Sequence, residues 1–148
     1  MSATVFVDAS VLVSARDMTE PERNLRALEW MTVLWQTKSG RLSYQVLQEY
    51  YVTVTRKLDP PRDVSDARED VESLVSWQPT KIELPVIDRA WAIQHRYGFS
   101  WWTSLILGAA SYSGCTHVLT EDLQHGQDVE AIIIINPFRA KPATVLPV

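Results

Sequence analysis

The chain has 148 residues, 46% of them hydrophobic, with a formal net charge of −4 and a single cysteine. That length suits one domain with a genuine core, and the apolar content excludes a disordered chain. The negative balance excludes a protein coated in positive potential, so any nucleic acid must be met by a local basic patch.

In chain order, residues 4–7 form a short apolar run with β-branched residues, the pattern of a strand buried on both faces of a parallel sheet. The run ends on Asp8, which fits either a site acid at the carboxyl end of the strand or a cap for the next helix. Ser10 is a further N-cap candidate, opening a short helix or turn at residues 10–18. Pro21 suits a first helical position. From Glu22, Leu25, Leu28, Met31, Val33, Leu34 and Trp35 recur at helical spacing, and Gly40 is expected to close that helix. Residues 41–43 read as a very short strand or link, and Ser43 as the N-cap of a helix over 44–58. The sequence Asp59-Pro60-Pro61 ends that helix.

Residues 63–76 predict an amphipathic helix. Residues 80–84 read as an edge-type strand, and Pro85 as the opening of a helix that runs to Tyr97 and stops at Gly98. Residues 100–113 are apolar nearly all round, as in a buried helix. Gly114 closes it. Cys115 suits a small buried apolar position, and one cysteine excludes an internal disulfide and a cysteine-based zinc site. Residues 117–120 predict a strand that ends in Glu121-Asp122, and residues 132–135 the last strand, far too short to span a bilayer. The expected fold is therefore α/β, a three-layer α/β/α domain around a central parallel sheet over residues 1–138. Residues 139–148 form a tail with little expected part in the core. The N-terminus carries no charged segment followed by a long apolar one, so the expected setting is cytoplasmic.

Two strands thus deliver acids to one sheet edge. Carboxylates gathered there can hold Mg²⁺ or Mn²⁺, hard ions that take oxygen ligands. Asp8 and Asp122 fit by position. Glu49 lies opposite the stripe of Leu47, Tyr51, Val54 and Leu58, so periodicity alone assigns it to solvent. Arg16, Arg23, Arg26, Lys38, Arg41, Arg56 and Lys57 are the cations available to a basic patch, although each also suits ordinary helix surface. Trp91, Trp101 and Trp102 are assigned to core and interface packing in preference to base stacking. His95, His117 and His125 are not at ligand spacing.

Val7-Asp8-Ala9-Ser10, Leu47-Gln48-Glu49-Tyr50, Trp101-Trp102-Thr103-Ser104-Leu105-Ile106 and Leu119-Thr120-Glu121-Asp122 occur in this order. Together they resemble the PIN domain, in particular the VapC-type toxin ribonucleases, from about residue 4 to residue 138. The resemblance implies a metal site built from Asp8, Glu49 and Asp122, with Thr120 matching the hydroxyl residue before the last acid and Ser10 and Glu121 in support. It moves Glu49 from solvent to site. Position 103 departs from the family's pattern, which has aspartate there. Both residues are good N-caps, so the helix is expected to start well, but one charge and one strong ligand are lost. Three acids can still hold one Mg²⁺, whereas a second ion loses its support.

The implied function is a metal-dependent ribonuclease, the toxin of a toxin–antitoxin pair, using Mg²⁺ or Mn²⁺ to cut RNA and leave a 5′-phosphate and a 3′-hydroxyl. A homodimer and a cognate antitoxin that inserts a basic side chain among the acids are implied as well. The rival is a non-catalytic PIN fold that binds RNA or protein, with Thr103 as its main support. A nucleotide-binding Rossmann-like domain is disfavoured because no glycine-rich loop follows the first strand.

Overall fold

Strand β1 (Val5–Val7) is buried along its whole length, as its unbroken apolar sequence requires. In the computed structural model, which describes residues 2–147, β1 pairs in parallel with β2 (Gly40–Arg41) on one side and β3 (His117–Leu119) on the other. Residues 1 and 148, the outer ends of the expected domain and tail, lie outside the described residues. β5 (Ile132–Ile135) adds in parallel to β3, and β4 (Asp128–Val129) pairs antiparallel to β5, giving the order β2-β1-β3-β5-β4. The α/β sheet is mostly parallel, with helices on both faces. Successive connections leave β1 toward β2 and later return to its other side at β3. The carboxyl ends of β1 and β3 therefore flank a topological switch point, where ligands bind in such sheets.

The antiparallel strand β4 was not expected. It joins β5 through Glu130 and Ala131, both at positive φ (52° and 68°), the backbone of a two-residue hairpin turn without the usual Asn-Gly.

Helix α1 (Ala9–Ser14) starts one residue earlier than expected because Asp8, not Ser10, is its N-cap. Helix α2 (Pro21–Thr37) ends through Lys38 in the left-handed conformation instead of through Gly40. Gly40 serves a different need: a Cβ there would lie 2.4 Å from the Trp77 ring. Helix α3 (Tyr44–Arg56) is capped by Ser43, as its sequence predicts. Helix α4 (Val64–Leu74), capped by Asp63, runs on into a 3₁₀ turn at Val75–Trp77.

The expected edge strand at residues 80–84 is reduced to a single bridge, between Ser43 and Thr80. Residues 81–83 are irregular, and only Leu84 enters helix α5 (Leu84–Tyr97), which has Pro85 in its first turn and Gly98 at φ 73° at its end. Helix α6 (Trp101–Tyr112), capped by Ser100, buries Ser104, Leu105, Ile106, Leu107, Gly108, Ala109 and Ala110 in succession. It packs closely on α5: a Cβ at Gly108 would lie 2.9 Å from the Val86 carbonyl oxygen.

The last residues contribute more to the core than expected. Leu146 and Pro142 are buried, and the Trp30 indole N–H donates to the Ala140 carbonyl at 3.0 Å.

Candidate functional site

Asp8 stands where β1 becomes α1, and its carboxylate is fixed from three directions. Oδ1 accepts from the Ala9 backbone N–H at 2.8 Å, while Oδ2 accepts from Ser10 Oγ and from Thr120 Oγ1, each at 2.9 Å. One oxygen thus caps the helix, while the other faces the two hydroxyls. Thr120 lies just past the end of β3. It is 3% exposed and in turn accepts from the Asp122 backbone N–H at 3.1 Å, so one hydroxyl ties Asp8 to the start of the Asp122 loop.

Glu49 lies on α3, four residues after Gln45, so the two share a helix face. Gln45 is 8% exposed; its amide nitrogen donates to Glu49 Oε1 at 2.9 Å and to the Trp102 carbonyl at 3.4 Å, joining α3 to the start of α6. The Gln45 carbonyl oxygen has no partner among the described residues. Periodicity did not single out Gln45; its spacing of four from Glu49 was the available signal.

Asp8, Glu49 and Asp122 line one cavity together with Arg23, Lys57 and Glu121, with a volume of about 730 Å³. A smaller adjoining cavity of about 160 Å³ shares the three acids and adds Trp102, Thr103, Thr120 and Leu123. Four predicted positions, 8, 49, 103 and 122, are thus brought together from four separate elements. Thr103 is not the helix cap: Ser100 holds that place and accepts from the Thr103 backbone N–H at 3.2 Å. The Thr103 side chain is therefore not needed to start the helix. Glu121 points its charge elsewhere, into an ion pair with Arg23, which also pairs with Glu20 at 3.0 Å and lies over the Phe138 ring.

The acids repel one another. Partial burial raises the pKa of Asp122, and the negative charge and hydrogen bonding of Asp8, with the charges of Glu121 and Glu49, raise it further. Desolvation also raises that of Glu49, against the hydrogen bond from Gln45, with the Asp8 charge adding to the rise. Among the described residues, no three His, Cys, Asp or Glu side chains converge into a ready-made metal cage. The donor set nevertheless suits a hard divalent cation, because Mg²⁺ commonly uses one or two carboxylates and keeps several waters.

Of the seven candidate cations, Arg23 and Lys57 reach this groove. Arg16 pairs with Asp70 and Arg26 with Glu29, while Arg41 donates to the backbone carbonyls of Lys38 and Gly40. The histidines stay apart from it: His125 Nδ1 accepts from the Asn136 N–H, His117 contacts Thr116, and His95 is exposed. Of the three tryptophans, Trp101 packs against the core, whereas Trp91 and Trp102 do not. Trp91 and Trp102 are 54% and 64% exposed, and the half-buried Trp101 lies against Trp91.

Comparison with known proteins agrees with this fold. No match was found among curated protein sequences. Among solved structures, the chain is similar to DNA-bound VapBC from Salmonella typhimurium, with a TM-score of 0.61 and 16% identity, covering 89% of this chain and 96% of that one. It is similar to VapBC2 from Rickettsia felis bound to a promoter DNA fragment, with a TM-score of 0.58 and 11% identity over 88% and 96% of the two chains. It is also similar to VapC20 from Mycobacterium tuberculosis, a Sarcin-Ricin loop cleaving toxin, with a TM-score of 0.54 and 17% identity over 78% and 87%. At these identities the likeness is one of fold. The sequence itself matches the PIN domain over residues 5–127. With that match spanning most of its length, the chain belongs to the PIN domain family.

Proposed function

We propose that this chain is a metal-dependent ribonuclease and the toxin component of a toxin–antitoxin pair. The observation that carries the reading is the meeting of Asp8, Glu49 and Asp122, from three different elements, on one groove at the carboxyl edge of the sheet. Mutually repelling carboxylates cost stability, and a divalent cation is the partner that relieves them. Asp8 and Asp122 would hold Mg²⁺ or Mn²⁺, with Glu49 facing it from α3. Such an ion lowers the pKa of bound water and offsets charge developing on a phosphoryl group.

The chain's own residues do the positioning. Ser10, Thr120 and the Ala9 N–H fix the Asp8 carboxylate before any substrate arrives. Gln45 engages Glu49 Oε1 and leaves Oε2 free to accept a proton or a ligand. Lys57 supplies positive charge along the groove wall for an RNA backbone, whereas Arg23 on the same wall is held by Glu20 and Glu121.

The partners proposed with this reading are an RNA substrate, a cognate antitoxin and a second copy of the chain, in a cytoplasmic setting. No helix among the described residues is long and apolar enough to cross a membrane. Leu25, Leu28 and Trp35 on α2 are exposed apolar surface of the kind that protein partners cover.

The second reading, a PIN fold that binds without cutting, is favoured by one observation: Thr103 presents a neutral hydroxyl where the family has a carboxylate. Mn²⁺ calorimetry and RNA cleavage assays on the wild type, Asp8→Asn and Thr103→Asp distinguish the two. The nuclease reading expects Mn²⁺ binding and cleavage that Asp8→Asn abolishes, and roughly tenfold tighter metal binding in Thr103→Asp. Equal metal binding by all three proteins, with no cleavage by any, would overturn it in favour of the binding module.

A further inference from the structure

The smaller of the two adjoining cavities is lined by Asp8, Glu49 and Asp122 together with the apolar side chains of Trp102, Ile106 and Leu123. A nucleotide pairs an anionic phosphate, which a cation held by the acids would meet, with a flat apolar base. Trp102 itself is 64% exposed although it follows directly on the half-buried Trp101. Leaving an indole of that size in water forgoes a large hydrophobic gain. Its backbone is not loose, because the carbonyl accepts from Gln45, the residue that also holds Glu49. One buried amide therefore sets the register between the exposed ring and the acids.

We infer that Trp102 is a nucleobase-stacking platform, binding the base of a nucleotide whose phosphate lies at the acid groove. The inference rests on the ribonuclease reading and deepens it, since it names the part of the substrate that α6 recognises. Stacking of this kind accepts any base, because each has a π-face. Trp102 would therefore contribute affinity and placement more than sequence choice. The effect is on binding, so it is measurable without turnover.

The test uses a fluorescein-labelled single-stranded adenosine 12-mer RNA, titrated by anisotropy into the wild type, Trp102→Leu, Trp102→Phe and Trp91→Leu at one fixed salt concentration with Ca²⁺ present. Trp102→Leu is expected to weaken binding by about tenfold or more, and Trp102→Phe, which keeps an aromatic face, by less than about threefold. Trp91, exposed on α5 but outside the cavity, serves as the control, and Trp91→Leu is expected to bind as the wild type does. Wild-type binding that Trp102→Leu leaves unchanged would overturn the platform and leave the ribonuclease reading standing. The same unchanged affinity, accompanied by a loss of self-association in sedimentation, would assign Trp102 to a protein interface instead. An RNA that the wild type itself does not bind would overturn both.

Discussion

Asp122 and Glu49 bear the cost of the acid groove in their protonation. Burial and the neighbouring Asp8 charge raise both pKa values in the folded chain. The folded protein therefore holds protons that the unfolded chain releases, and ionising these acids works against folding. The cost is absent below about pH 4, the usual carboxylate range, and is fully present once the pH exceeds the raised folded-state values. Asp122→Asn removes one of the repelling charges. In a chelating buffer at pH 7 it is expected to raise Tm in calorimetry, and near pH 3.5 the gain is expected to vanish. Added Mn²⁺ should raise the wild-type Tm and raise that of Asp122→Asn less. A Tm lowered by Asp122→Asn at pH 7 would mean that Asp122 is held by contacts worth more than its repulsion.

At the scale of elements, Asp70 is the tie that keeps α3 and the α1 side of the groove together. Its carboxylate accepts from Arg16 at 2.9 Å, from Arg62 at 2.6 Å and from the Tyr50 hydroxyl, so it joins α4 to α3, to the segment after α1 and to the proline turn. Burial opposes the charge on Asp70, but the hydrogen bonds from Arg62 and Tyr50 and the Arg16 charge outweigh it and lower its pKa. Burial and the bond to Asp70 push the Tyr50 hydroxyl up to about 12. A lowered acid pKa stabilises the fold above the unfolded value near pH 4, and that support is lost as the pH falls through the folded value. Asp70→Asn is expected to cost about 2 kcal/mol in urea unfolding at pH 7, less than for a fully buried pair because Arg16 is partly exposed, and the difference should narrow below about pH 3. An undiminished difference at low pH would refute the charge-based account. Helices α2, α3, α4 and α5 were legible in the sequence because Pro21, Ser43, Asp63 and Pro85 carry start signals. The β4–β5 hairpin was not, since its turn residues Glu130 and Ala131, both at positive φ, carry none of the Gly or Asn that signals such a turn. Asp8 was legible from the end of an apolar strand. Glu49 was not readable from periodicity, because a helix face turned to a groove and one turned to bulk solvent have the same pattern.

Across the whole molecule, a net charge of −4 and an acidic groove oppose the approach of RNA, itself a polyanion. Association must therefore draw on the few cations facing the groove. Arg23 is already committed to Glu20 and Glu121, so its charge is largely spent within the protein. Lys57, just past the end of α3, lines the same groove and forms no ion pair among the described residues. It is the side chain best placed to exchange counterions with a phosphate. Each phosphate contact to a single strand contributes a slope of about −0.7 to the plot of log affinity against log salt. Lys57→Ala is expected to make that slope shallower by about 0.7 and to weaken binding alike for RNAs of different sequence, as measured by anisotropy over a salt series. Arg23→Ala should change the slope less, since it frees two carboxylates as it removes one cation. A slope that Lys57→Ala leaves unchanged would mean that the strand leaves the groove before reaching the end of α3, and that the acids and Trp102 hold it without a cationic clamp.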